Sequence, residues 1–167
     1  MSEQIENPYT KYVVKNGVIT YDFQGIRLAR SSSRVANRPR WVEFELFITP
    51  KEQYVISRIG MSVFYHSEEC STVSRNHLSA VDGAELAGFY IPCPDCKPTR
   101  SDYKGVYPEL PRYWAQICED GEGVVEALMK KDDFNNWYLT NVASRLLQDA
   151  AKYDDNIHAA FTVQKIE

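Results

Sequence analysis

The chain has 167 residues and a mass of 19.2 kDa, which is enough for one domain or for one domain with a small appendage. A hydrophobic fraction of 44% and a net charge of −4 exclude an intrinsically disordered chain. The apolar runs are far shorter than the roughly 20 residues of a membrane helix, and the first 20 residues carry charges without an apolar block. We therefore expect a cytoplasmic protein with no membrane partner.

Charge is distributed unevenly along the sequence. Residues 1–66 carry a net charge of +3, residues 67–100 a net of −2 and residues 101–167 a net of −5. A basic front half indicates a polyanionic partner such as DNA or RNA. The acidic back half indicates, as the alternative, a larger protein partner that docks onto acidic helices.

Residues 1–64 have the pattern of an antiparallel β-sheet. Asn16-Gly17 separates two β-branched and aromatic runs, and this dipeptide is the strongest short hairpin signal. Short strands with tight turns predict a meander. The predicted strands are Tyr12–Val14, Val18–Tyr21, Ile26–Ala29, Trp41–Ile48, Tyr54–Ile56 and Met61–Tyr65, with a turn at Ile59-Gly60 and a loop over Ser31–Pro39.

The last third of the chain changes to helical periodicity. Apolar residues at helical spacing predict one helix around Val124–Met129 and a longer one over Thr140–Lys152, for which Thr140 is the N-cap. Trp137 and Tyr138 are expected in the core. Alternation over Phe161–Ile166 predicts a last strand that returns to the sheet.

Three of the four cysteines form a pattern typical of a metal site. His66-x3-Cys70 is followed, after 22 intervening residues, by Cys93-x2-Cys96. Two ligand pairs with these spacings can surround one tetrahedral ion, and thiolates with an imidazole suit Zn²⁺ better than Mg²⁺ or Ca²⁺. We predict one structural zinc, held by four protein ligands that leave no open position for a substrate.

Other readings of the cysteines stay open. Cys93-x2-Cys96 could be a redox pair, although no βαβ pattern of a thioredoxin-like protein surrounds it. Cys118 lies in a short apolar segment and is expected as a small buried hydrophobe. It could instead replace His66 as the fourth ligand, whereas His77 and His158 are isolated and are expected outside any metal site.

The segment from Tyr65 to Pro98 resembles the small zinc-binding module of Ada-type DNA alkylation-repair proteins. The matching residues are His66, Cys70, Ala84, Ala87, Gly88, Phe89, Pro92, Cys93, Cys96 and Pro98. The resemblance implies a zinc cage of the four ligands with a short helix over Asp82–Gly88. His66 stands where the methyl-accepting proteins have a reactive Cys, and an imidazole cannot act as that thiolate. The resemblance therefore implies the cage and not the methyl transfer, unless Cys70, Cys93 or Cys96 serves as acceptor.

Five arginines lie close together in the sequence between Arg27 and Arg40, and Trp41 follows them directly. Guanidinium groups and a stackable indole are what a nucleic-acid backbone and its bases would contact. The alternative is a solvated loop whose arginines pair with Glu43, Glu45 and the acidic tail. The candidate nucleic-acid-binding residues are Arg27, Arg30, Arg34, Arg38, Arg40 and Trp41.

These signals combine into one expectation of architecture and task. We expect an α+β protein with an antiparallel β region over 1–64, a zinc-binding module over 65–98 and a helical region over 99–167 packed on the sheet, together one compact unit. No phosphate-binding loop, nucleophile elbow or metalloprotease motif is present, so no catalytic residue is predicted. The expected function is a non-enzymatic nucleic-acid-associated accessory factor. The alternatives are an adaptor or regulatory subunit of a bacterial or phage system and, less favoured, an alkyl-accepting repair protein.

Overall fold

The computed structural model describes residues 7–67, Cys70, 91–96 and 106–162. The chain separates into two compact units that interleave along the sequence. The first unit takes in the chain up to Ser33, Glu43–Arg58 and the chain from Tyr113 onward, and the second takes in Arg34–Val42 and Ile59–Arg112. The two units do not coincide with the three contiguous segments expected from the sequence, because each unit is made of separate stretches of chain.

The described strands form one large sheet and two small ones. Five strands make an antiparallel, curled sheet in the order β1-β2-β3-β4-β8, so that the first four follow the predicted meander. The order in the smaller sheets is β6-β5-β7 and β10-β9. The strands are β1 Thr10–Asn16, β2 Ile19–Ser32, β3 Arg40–Ile48, β4 Tyr54–Ser62, β5 Phe64–Ser67, β6 Ile91–Pro92, β7 Val106–Pro108, β8 Arg112–Cys118, β9 Lys130–Lys131 and β10 Trp137–Tyr138.

The predicted hairpin at Asn16-Gly17 is confirmed. Asn16 pairs with Ile19, and Gly17 has a φ of +59°, a left-handed conformation that glycine adopts without a steric penalty. The next strands are longer than predicted, because β2 continues through Ile26–Ala29 with a register shift between Arg27 and Ala29. Likewise β4 passes through Gly60 without the predicted turn.

Three helices occur in the described residues, all of them after β8. Helix α1 is Gly121–Leu128, α2 is Asn141–Ala151 and α3 is Asp155–Thr162. The first two confirm the predicted helices, and the Thr140 hydroxyl accepts a hydrogen bond from the Ala143 amide (3.3 Å), as expected for its N-cap.

The predicted last strand at Phe161–Ile166 is wrong where the structure describes it. Phe161 and Thr162 form the end of α3, and residues 163–167 lie outside the described part. The helix begins because the Asp154 carboxylate accepts a hydrogen bond from the Ile157 amide (2.9 Å). The side chain of Ile157 is fully buried, which favours this helix over a strand.

The core of the first unit covers both faces of the central strands. Neighbouring residues on a strand point to opposite faces, and both Leu46 and Phe47 are buried. Phe47 packs against the rings of Tyr12 (4.6 Å between centroids) and Phe23 (5.3 Å). The helices pack on the sheet, and α2 contributes Leu146 among its buried residues.

The hairpin of β9 and β10 lies outside this core. Trp137 and Tyr138 have 62% and 43% of their surface exposed, so the expectation that they belong to the core is wrong. The Asp132 carboxylate accepts hydrogen bonds from the amides of Phe134 and Asn136 and so closes the turn between the two strands. This turn holds the aromatic rings in an exposed hairpin.

The α+β class, the antiparallel sheet and the C-terminal helices on the sheet are thus confirmed. In the part of the chain that the structure describes, no helix has the length and apolar character that a membrane span requires.

Candidate metal centre

The small sheet of the second unit positions two of the predicted ligands. Strand β5 is its middle strand and pairs in parallel with β6 and antiparallel with β7. His66 lies on β5, while Cys93 directly follows β6 and its amide donates to the carbonyl oxygen of Tyr65 (2.9 Å). This backbone hydrogen bond brings the Cys93 end of one ligand pair beside the His66 end of the other.

The structure brings the four predicted ligands into one group. One ligand atom from each of His66, Cys70, Cys93 and Cys96 lies within 4.8 Å of the other three. Zinc bonds of about 2.0–2.3 Å place tetrahedral ligand atoms roughly 3.5–3.8 Å apart, so small side-chain movements would complete such a site. The group can hold a metal ion.

The geometry of Cys93 and Cys96 suits metal binding. Residues 94–96 form a turn, with Cys93 buried before it and Cys96 partly exposed at its end. All four cysteines of the chain are free thiols in the structure. Three thiols and one imidazole are a soft to borderline donor set, which favours Zn²⁺ or a similar ion over oxygen-seeking cations.

Cys118 does not belong to this group. It lies in the first unit at the end of β8 and is buried, as expected for a small hydrophobe. Burial, with added repulsion from Asp120 and Glu119, raises the pKa of its thiol to about 11. A thiol that stays protonated is a poor metal ligand, so the alternative in which Cys118 replaces His66 loses its support.

The surroundings of His66 act on the protonation of its imidazole. The side chain is fully buried. Burial disfavours the charged imidazolium and lowers the pKa of His66 below its ordinary value, although the negative charge of Glu109 acts in the opposite direction. A neutral imidazole offers a nitrogen lone pair, whereas an imidazolium does not. Both ring nitrogens are buried without a hydrogen-bond partner among the described residues, and such atoms are costly unless a partner or an ion satisfies them.

A buried carboxylate completes the surroundings of the group. Glu109 accepts two hydrogen bonds from Arg40, Nη2 to Oε1 (2.7 Å) and Nε to Oε2 (3.2 Å), and lies 3.7 Å from Arg112. Burial alone would raise the pKa of Glu109, but hydrogen bonds from Arg40 and Ser62 and the Arg40 charge outweigh it and lower the pKa. The sequence analysis did not identify Glu109, because its proximity to His66 arises from the pairing of β5 with β7.

Charges of both signs lie around the group. The Glu109 carboxylate is paired with the guanidinium groups of Arg40 and Arg112, while Asp95 adds another negative charge that acts on His66. A buried carboxylate is tolerated when it is paired in this manner.

All five arginines predicted to contact nucleic acid are exposed. Arg27 forms an ion pair with Glu45 (3.2 Å), as the alternative of a solvated loop expects, and Arg40 is bound to Glu109. Arg30 lies exposed at the end of β2, and Arg34 and Arg38 are exposed between β2 and β3. Arg27 and Arg30 belong to the first unit and the other three to the second.

Trp41 does not offer the exposed ring that stacking on a base requires. Only 6% of its surface is exposed, and the guanidinium of Arg34 lies over the ring, 4.6 Å from its centroid. Trp41 begins the apolar alternation of β3 and is buried there, which does not favour its role in a nucleic-acid surface.

Several residues of the resemblance lie outside the described part of the chain. These are the predicted helix over Asp82–Gly88 with Ala84, Ala87, Gly88 and Phe89, and also Pro98. Comparison of the chain with family models, with curated proteins and with solved structures found no significant match.

Proposed function

We propose that this is a zinc-binding, non-enzymatic protein in which His66, Cys70, Cys93 and Cys96 hold one structural Zn²⁺ that stabilises the second unit. The observation that carries the proposal is the group of four ligand atoms within 4.8 Å. Four protein ligands fill a tetrahedral coordination sphere, which is typical of structural rather than catalytic zinc. The resemblance of residues 65–98 to Ada-type modules supports zinc among the soft-donor metals.

Metal analysis of the purified full-length chain tests this proposal. We expect one zinc per chain in the wild type, lost in His66→Ala and in Cys93→Ser. The matched controls are Cys118→Ala and His158→Ala, which change the same residue types outside the group and should keep the zinc. A folded wild type that is metal-free and takes up no added Zn²⁺ would contradict the proposal, as would loss of zinc in the controls.

As a second candidate we propose that Arg34 and Arg38 contact a nucleic-acid backbone. Their exposure on a segment outside regular structure is the observation in its favour. Trp41 is left out of this proposal because only 6% of its surface is exposed. Contact through these side chains would be electrostatic and independent of base sequence.

Salt-dependent binding to DNA and RNA tests the second candidate. Each lost phosphate contact reduces the slope of log affinity against log salt by about 0.9 on duplex DNA. Arg34→Ala with Arg38→Ala should therefore weaken binding and reduce that slope by about 2. Arg27→Ala, whose guanidinium is paired with Glu45, serves as the control. Equal affinity and slope in the double variant and the wild type would refute the candidate.

A further inference from the structure

Glu109 lies against the candidate metal ligand His66 in a buried position. Its Oε1 is 3.5 Å from Nε2 of His66, and the two side chains are 3% and 0% exposed. This separation is about half an ångström longer than a good N–H···O hydrogen bond, so a slight rotation of the ring closes it. Glu109 exerts the largest charge effect on the imidazole, ahead of Arg40 and Asp95.

The two nitrogens of the His66 ring therefore have different surroundings. Nε2 faces a carboxylate that only accepts hydrogen bonds, whereas Nδ1 is buried with no partner among the described residues. A neutral imidazole carries its proton on one nitrogen and a lone pair on the other. The proton belongs on the side of the acceptor, which leaves the Nδ1 lone pair for an ion.

We infer that His66 binds the metal through Nδ1 and that Glu109 is a positioning residue, which fixes the ring by accepting the hydrogen bond from Nε2–H. The inference rests on the proposed zinc site. That site then depends on Glu109, a residue that is not itself a metal ligand. Carboxylate partners of metal-binding histidines set the tautomer and the ring orientation and raise the basicity of the ligand.

The surroundings of Glu109 prevent the carboxylate from turning away from His66. Its backbone amide donates to the carbonyl oxygen of Phe64 (2.9 Å), which fixes the main chain beside β5. Arg40 binds both carboxylate oxygens, and its guanidinium lies over the Phe64 ring, 5.1 Å from the centroid. Oε1 thus lies 2.7 Å from Nη2 of Arg40 and 3.5 Å from Nε2 of His66.

Zinc affinity of Glu109 variants, measured by competition with a chelator, is the first test. Loss of such a partner typically lowers metal affinity 10- to 100-fold, which we expect for Glu109→Ala. Glu109→Gln keeps an oxygen that accepts the Nε2–H bond, so its loss should be smaller, and this graded order separates positioning from mere packing. Glu45→Gln, at a carboxylate paired with Arg27 in the first unit, should keep wild-type affinity.

The protonation of the ring provides a second test that does not depend on how well Glu109 variants fold. In the zinc-loaded His77→Asn/His158→Asn protein His66 is the one histidine, and ¹⁵N NMR of its ring distinguishes the nitrogen that binds metal from the one that carries hydrogen. We expect metal at Nδ1 and a proton on Nε2. Metal at Nε2, or wild-type affinity in both Glu109 variants, would overturn the inference and leave the zinc site intact. Absence of zinc from the wild type would instead refute the proposed function, and the inference with it.

Discussion

The largest fully buried side chains of the first unit are mostly apolar, such as Phe47, Leu146 and Ile157, whereas the second unit buries His66 and Glu109. Of the 21 buried hydrophobic residues in the described part of the chain, only Trp41, Tyr65 and Cys93 belong to the second unit. Cys93 is itself a candidate metal ligand. The apolar burial that holds the first unit together is therefore scarce in the described residues of the second.

Among the described residues, the buried side chains of the two units therefore differ in chemistry. Burial of apolar surface stabilises the first unit at about 25 cal/mol per Å² removed from water. In the second unit a buried histidine and a buried carboxylate are each costly without partners, and a bound cation would satisfy the imidazole and balance the thiolates. On the proposed zinc site, we expect metal binding to stabilise the second unit as burial of apolar side chains stabilises the first.

Removal of the metal should produce the largest effect and should act on one unit. Structural zinc sites contribute about 10–16 kcal/mol of apparent binding free energy, which is also folding free energy. We expect a chelator to abolish hydrogen-exchange protection of the Cys93 and Glu109 amides, which bond to Tyr65 and Phe64. The Ser144 amide in α2 serves as the internal control and should stay protected. Unchanged protection at Cys93 and Glu109 in metal-free protein would mean that the second unit folds without an ion.

A cavity in the apolar core should have the next largest effect. It should destabilise the first unit and leave the second unit unaffected. Leu146 is fully buried, and Leu146→Ala should reduce the free energy of unfolding of the first unit by about 2–5 kcal/mol, measured by urea denaturation. Phe134→Ala removes an apolar side chain that is 84% exposed. This variant should change the free energy of unfolding by less than about 0.5 kcal/mol. Zinc affinity should be unaffected by either variant; a decrease comparable to that of Glu109→Ala would show that the units are not independent.

Tyr54→Phe tests a polar contact inside the first unit. The Tyr54 hydroxyl donates to the Asp154 carboxylate, with both oxygens near 3 Å, so its loss should cost about 1.5–3 kcal/mol in the free energy of unfolding at neutral pH. Burial, followed by the hydrogen bond to Asp154, raises the pKa of Tyr54 from 10.0 to about 12.

The sign of this shift gives the Tyr54→Phe prediction a pH dependence. A raised pKa in the folded state means that the contribution of Tyr54 is complete below pH 10 and is lost as the pH rises towards 12. The difference in stability between wild type and variant should therefore shrink over this range. Cys118, with a pKa raised to about 11, titrates in both proteins and cancels in the difference. A difference that stays constant to pH 12 would contradict the assignment.

The N-cap of α2 should show the smallest of these effects. Thr140→Ala removes the hydroxyl that accepts from the Ala143 amide and should lower the free energy of unfolding by about 1 kcal/mol. Thr140→Ser keeps the hydroxyl and is the matched control. Equal losses in the two variants would indicate that the lost methyl group, and not the cap, is responsible.

Local patterns in the sequence predicted the features that depend on few neighbouring residues. The Asn16-Gly17 hairpin and the Thr140 cap are decided within a few positions, and both occur as predicted. The ligand set was predictable for the same reason, because His66 with Cys70 and Cys93 with Cys96 are pairs at short spacing. The structure adds that the two pairs meet.

The features that the sequence did not predict depend on contacts between distant segments. Glu109 is 43 positions from His66, and no pattern marks it as a partner until β7 pairs with β5. Phe161 alternates like a strand residue but ends a helix, because Ile157 is buried and Asp154 caps that helix. Trp137 is apolar yet exposed, since the Asp132 turn holds its hairpin outside the core.

Trp41 and Trp137 lie in different units and differ in solvent exposure. Trp41 is buried in the second unit beneath the Arg34 guanidinium, and Trp137 is 62% exposed in the first, with Lys131 over its ring. Emission from an indole shifts to longer wavelength when water reaches it, so we expect Trp137 to emit as a solvated ring and Trp41 as a shielded one. In a Trp137→Phe protein that retains Trp41 and Trp114, a red shift on chelation would follow the second unit in real time. On the proposed zinc site, Trp41 would thus serve as an intrinsic fluorophore that reports loss of the ion without any label.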